Sequence, residues 1–158
     1  MVKAIKVMLI PNNVQKTKLF QYAGASRFAY NWALAREIEN YEKGGKFISD
    51  AELRKEFTKL RHSDEYAWLL NISNNVTKQA IKDACTAYKN FFRGLQKFPR
   101  FKSKKRSMPK FYQDNVIEWF VENGEHCARL KPLQRAVGWG IELLKGNPGS
   151  PRLWGLPP

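Results

Sequence analysis

Cysteine is almost missing from this chain: Cys85 and Cys127 are its two thiols, and no CxxC pair occurs. That excludes a zinc ribbon and a disulfide framework, and it leads us to expect reduced thiols in the cytoplasm. No apolar run approaches the roughly 18 residues of a membrane helix, and no signal-peptide or lipidation pattern occurs. A soluble cytoplasmic protein without a membrane partner is the expectation. A Gly-rich phosphate loop is lacking, and no Asp, Glu, His or Cys set has metal-ligand spacing. His62 reads as a polar helix end and His126 as a strand residue, while Glu37 and Glu39 lie on different helical faces. The sequence thus offers no active site, no metal site and no cofactor site. Acids are scarce, 14 against 28 Lys plus Arg in 158 residues, a net of +14. The excess lies in residues 1–113, with 23 bases and 9 acids, whereas residues 114–158 hold five of each. A one-sided charge of that size attracts polyanions, and nucleic acid is the obvious partner.

Apolar residues make up 43% of the chain and aromatics 13%, enough for a core and too much for a disordered tail. Lys3–Ile10 alternates, with Ile5, Val7 and Leu9 on one face, and stops at Pro11, which predicts a short strand. From about Val14 to Lys43 apolar residues recur at helical spacing until Gly44-Gly45. Ser49 and Glu52 form a capping box for a second helix through about Arg61, striped by Leu53, Phe57 and Leu60. Ser73 opens a third helix, with Val76, Ala80, Ala84, Tyr88, Phe91, Phe92 and Leu95 on one side and Gly94 and Pro99 at its end. Residues 97–113 are basic and broken by Pro99 and Pro109, which predicts a loop. Val116–Val121 and His126–Leu130 flank Asn123-Gly124, a strong hairpin signal, with Glu118 opposite Arg129. The hairpin should pair with the first strand. Beyond Lys131 glycine and proline dominate, and only Val137–Leu144 has the pattern of a strand or helical turn.

The sharpest functional signal is basic. Lys89, Arg93, Lys97, Arg100, Lys102, Lys104, Lys105, Arg106 and Lys110 follow one another without a single acid, and Phe98, Phe101, Phe111 and Tyr112 are interleaved with them. Phosphates suit flexible cations and bases suit flat faces, so a nucleic-acid strand fits this mixture. The bland alternative is a solvated loop. In the run Arg27-Phe28-Ala29-Tyr30-Asn31-Trp32-Ala33-Leu34, packing accounts for the rings, while Arg27 and Asn31 share a helical face that can grip phosphate or a base edge. Asn74, Asn75 and Lys78 stand at the start of the third helix, either as groove readers or, for the asparagines, as caps. Composition does not choose DNA over RNA.

Three stretches carry a resemblance: Arg27 to Leu34 after the strand ending in Pro11, Tyr88-Lys89-Asn90-Phe91-Phe92-Arg93, and Phe98-Pro99-Arg100-Phe101-Lys102. In order and spacing, residues 1–115 resemble the start of the TnpB/OrfB proteins of insertion sequences, the transposase-like, RNA-guided nuclease family from which type V CRISPR effectors arose. The resemblance implies a transposable-element protein of DNA recombination, with a helix-turn-helix-like recognition domain and part of a small β-barrel. That region would hold a guide RNA and read a short motif beside the target DNA. Groove-reading positions would fall near Asp50, Arg54, Asn74, Asn75 and Lys78, and at Gln113-Asp114. The family's RNase H-like nuclease, with its three spaced carboxylates and CxxC…CxxC element, has no counterpart in this sequence, so a truncated, non-catalytic binding protein is expected. A stand-alone DNA-binding repressor or RNA-binding remnant is the alternative.

The fold class expected is α+β: a three-helix, helix-turn-helix-like bundle with a small antiparallel barrel fragment and an irregular C-terminal tail. Residues 1–12 and 114–130 form the β portion of that scheme, 13–113 the helical recognition portion ending in the basic segment, and 131–158 the tail.

Overall fold

Helix ends in this chain are set by short polar motifs and by two glycines. In the computed structural model, which describes residues 11–113, 117–122, 125–130 and 141–146, helix α1 spans Asn13–Glu42. Just ahead of it Asn12 and Gln15 exchange hydrogen bonds: each backbone N–H donates to the other's side-chain oxygen at 2.9 Å. This is a capping box written with amides, and it satisfies two N–H groups that the first turn leaves over. At the other end Gly44 takes φ 73°. Its N–H reaches Tyr41 O at 2.9 Å, and the Gly45 N–H reaches Asn40 O at 2.8 Å. That pair is a Schellman motif, and a side chain at Gly44 would strain it.

Helix α2, Asp50–Arg61, has the Ser49/Glu52 capping box in both directions. A 3-10 segment, Asp64–Asn71, follows. Helix α3, Asn74–Phe92, ends in a second Schellman motif at Gly94 (φ 70°), closed by Gly94 N–H to Phe91 O and Leu95 N–H to Asn90 O. Phe92 and Leu95 therefore leave the buried stripe expected of them and are 52% and 68% exposed. The core is made by Leu34, Leu53, Phe57, Leu69, Val76 and Ile81, with Ala25, Ala29 and Ala33 forming a fully buried small-residue stripe on α1. Phe28 meets the rings of Phe57, Tyr66 and Trp68, and Trp32 stands edge-on to Phe57. None of the described helices is long and apolar enough to cross a membrane.

The α+β expectation with a barrel fragment is overturned. The chain divides into two units, residues 20–114 and residues 1–19 with 115–158. Among its described residues the first holds helices and loops without a strand, and four helices, the 3-10 segment included, carry the chain's described core. The second holds strands β1 (Ile117–Glu122), β2 (Glu125–Leu130) and β3 (Ile141–Gly146) as a three-stranded antiparallel sheet ordered β1-β2-β3 among the described residues. Glu118 pairs with Arg129, and the β2–β3 register slips between Ala128 and Leu130. Period-two alternation marks a strand but does not name its neighbour. The β3 strand overlaps Val137–Leu144, the one part of the tail with the pattern of a strand or helical turn. The proposed first strand and the Asn123-Gly124 turn lie outside the described residues.

Candidate nucleic-acid interface

The reversal between α2 and α3 is held by a buried cation. Arg61, 8% exposed, donates from Nη1 to Asn74 Oδ1 at 2.8 Å and from Nη2 to Leu69 O at 3.0 Å and Ile72 O at 3.1 Å. Its Nε finds no acceptor among the described residues, and burial lowers its pKa. The planar fork ties the end of α2, the 3-10 segment and the start of α3 into one corner. A basic residue in the last turn of a helix is ordinary in sequence, so nothing local marked Arg61 as buried.

An open groove of about 330 Å³ runs along that corner, with Arg54, Lys55 and Thr58 on the α2 side and Asn74 and Lys78 on the α3 side. Asn74, Lys78 and Lys82 are exposed at successive helical turns of α3. Lys55 and Lys82 are cations that the sequence reading missed; helical spacing from Lys78 would have found Lys82. Asp50 holds Arg54 in place: Arg54 Nε donates to Asp50 O at 3.1 Å, and Nη2 lies 3.0 Å from Asp50 Oδ2. Asn74 accepts from Arg61 at Oδ1, and its amide keeps two N–H donors beyond that bond. Asn75 is half-buried beside it.

The basic segment has an anchor and a tip. Asn31 donates from Nδ2 to Lys102 O and accepts from Lys102 N–H at Oδ1, both at 2.8 Å, across 71 residues of chain. Its amide therefore docks the segment rather than gripping a ligand alongside Arg27. Lys102 Nζ sits 3.6 Å from the Tyr30 ring centroid, and burial lowers its pKa, so this lysine is part of the anchor too. Next, Ser107 N–H bonds Ser103 O at 2.9 Å, Ser103 N–H bonds Ser107 Oγ at 3.1 Å and Arg106 N–H bonds Ser103 Oγ at 3.2 Å. These bonds close a tight turn that turns Lys104, Lys105 and Arg106 into solvent.

Lys89, Arg93, Lys97, Arg100 and Lys110 are also exposed, and Gln113 is half-buried. Arg27 is half-buried at a cavity of about 500 Å³ that Lys102, Lys110 and Asp83 also line. Of the interleaved rings, Phe98 packs on Phe91 and Tyr88, and Phe111 packs on Tyr22. Phe101 and Tyr112 remain more than half exposed. Asp114 lies outside the described residues.

The helical body thus presents a cationic groove at its α2–α3 corner. In comparison with known proteins, residues 1–46 match the OrfB–IS605 helix-turn-helix domain. The chain is 38% identical over 102 residues to "Putative RNA-guided DNA endonuclease InsQ" of Escherichia coli K12, covering 65% of this chain and 25% of that protein. It is 30% identical over 145 residues to a "Putative RNA-guided DNA endonuclease" of Streptomyces pristinaespiralis, covering 91% of this chain and 36% of that one. A third relative, "Putative transposase A625R" of Paramecium bursaria Chlorella virus 1, is 29% identical over 99 residues and is covered over 22% of its length. The chain thus carries an OrfB–IS605 helix-turn-helix domain at its N-terminus and is homologous to TnpB-type proteins. It spans about a quarter to a third of the length of the curated relatives it matches.

Proposed function

We propose that this chain is a transposase-related nucleic-acid-binding module: its α2–α3 groove meets target DNA, and its Ser103–Ser107 turn holds the phosphates of a guide RNA. The observation that carries this reading is the anchored turn. Three exposed cations stand on a loop pinned by Asn31 and Lys102, so a polyanion finds them already ordered. The helix-turn-helix match and the relatives support a DNA-binding, transposase-related role. We assign the module binding rather than strand cleavage.

Fluorescence anisotropy with labelled duplex DNA and labelled single-stranded RNA, repeated over a salt series, tests it. Each phosphate contact contributes about −0.9 to the log–log salt slope on duplex and about −0.7 on a single strand. The three cations of the turn alone imply about −2.1 on RNA, so a fourfold rise in salt weakens binding nearly 20-fold. Binding to both probes that is weak and flat with salt refutes the reading. Tight binding to duplex with none to RNA refutes the guide-RNA assignment and leaves the stand-alone repressor.

A further inference from the structure

Away from the groove, a buried carboxyl group faces an aromatic cavity and lacks a full set of partners. Glu37 is 1% exposed on α1. Its Oε2 accepts from Ile48 N–H at 3.3 Å, and its Oε1 has no hydrogen-bond partner among the described residues. A buried acceptor left in that state costs free energy that a donor from a ligand would recover. Glu37 lines a cavity of about 210 Å³ together with Tyr41, Phe47, Tyr88 and Phe92. That is smaller than the roughly 300–1,000 Å³ of drug-sized sites. Three of the four rings are partly open to solvent, Tyr41 at 60%, Phe92 at 52% and Phe47 at 38%.

A carboxylate within aromatic walls suits either a cation or a flat heterocycle with donors on one edge. The charges nearby decide between them. Lys89 Nζ lies 4.5 Å from the Phe47 ring centroid, Lys46 precedes Phe47 and Arg93 follows Phe92 in the chain. These exposed cations repel a cationic guest and attract the phosphate of a nucleotide. Among the bases, guanine alone presents two adjacent donors, N1–H and N2–H, and no acceptor between them. Adenine and cytosine set a ring-nitrogen acceptor beside the amino group, and an ionised carboxylate has nothing to donate to it.

We propose that this cavity receives one unstacked guanine of a bound strand, with its rings against the aromatic wall and its N1–H and N2–H edge donating to the Glu37 carboxylate. The inference rests on the nucleic-acid-binding reading and adds a base-specific subsite to it. Burial holds the Glu37 pKa above its ordinary value, with the Ile48 N–H and Lys89 opposing that rise. Two donors from guanine act in the same direction as the Ile48 N–H and favour the ionised form.

Short thymidine oligonucleotides carrying a single central dG, dA, dC or deoxyinosine, with the all-thymidine strand as reference, separate the base from the backbone. A bidentate contact predicts that the dG strand binds about 5- to 150-fold tighter than the reference, with deoxyinosine between them because it lacks N2. Glu37→Gln offers one acceptor and one donor, so the preference moves from dG toward dA. Phe92→Ala removes a ring at the surface and lowers the dG preference even if Glu37→Gln does not fold. Equal, salt-steep binding of all five strands overturns the subsite and leaves the nucleic-acid reading standing. No binding of any strand overturns both. Saturable binding of trimethyl-lysine that Glu37→Gln abolishes makes the cavity a cation cage and also overturns the proposal.

Discussion

Replacing Asn31 with alanine is expected to release the basic segment while leaving the helices in place. Two hydrogen bonds at 2.8 Å, one donated and one accepted, join its amide to the backbone of Lys102. A partly buried neutral hydrogen bond is worth about 1 kcal/mol net, so losing both costs about 2 kcal/mol. The loss is local because the Tyr22–Phe111 contact and the core do not involve Asn31. If the segment opens and recloses faster than it is cut, trypsin cleavage at Lys102–Arg106 reads the open population, and 2 kcal/mol is about a 30-fold faster cut. Lys102→Ala removes the cation–π contact with Tyr30 but keeps the clasp, and about 0.5–1 kcal/mol gives only a two- to fivefold effect. The assay is native-state proteolysis at low trypsin, with far-UV circular dichroism as the check on the helices. A cleavage rate in Asn31→Ala within about twofold of wild type, with the helices intact, refutes the idea that the clasp holds the segment.

The triple variant Lys104→Ala, Lys105→Ala and Arg106→Ala should flatten the salt slope on single-stranded RNA by about 2 units. Its denaturation midpoint should barely move, each exposed substitution staying within about 0.5 kcal/mol; an unchanged slope would make the turn a solvated loop. Arg61→Lys should cost about 2–4 kcal/mol in urea unfolding, because one ammonium cannot reach Asn74, Leu69 and Ile72 as the planar fork does. A wild-type midpoint in Arg61→Lys would sink the corner argument. Glu37 has a folded pKa raised by burial, so the native state binds its proton more tightly than the unfolded chain. Its contribution to stability is therefore fully present below the unfolded pKa and is lost as pH rises through the folded one. Stability measured against pH should show this loss in wild type and not in Glu37→Gln; parallel curves would refute it. Ser49→Ala should cost about 1 kcal/mol through loss of the α2 cap, read as a lower thermal midpoint.

Local chemistry made much of the helical body legible. The Ser49/Glu52 box, the stops at Gly44 and Gly94, and the stripe of Leu53 and Phe57 are written in spacings of three and four residues, and the helices follow them. The 3-10 segment was not legible, since Asp64-Glu65 also begins a turn, and β3 runs two residues beyond the Val137–Leu144 pattern. At the interface, sequence named the cations of the basic segment but missed Lys55 and Lys82, and it could not tell anchors from tips. Lys102 and Lys104 look alike in a basic run, and only the first lies against Tyr30.

The sequence by itself determined where charge accumulates and where helices start and stop, because both follow from residue type and from neighbours within one turn. Tertiary structure alone decided that Asn31 clasps Lys102, that Arg61 is buried at the α2–α3 corner and that Glu37 faces an aromatic cavity with an oxygen to spare. The physical reason is range. A side-chain amide or guanidinium bonds whichever backbone groups the fold brings within about 3 Å. For Asn31 that partner comes from 71 residues away, a separation over which no local periodicity carries information.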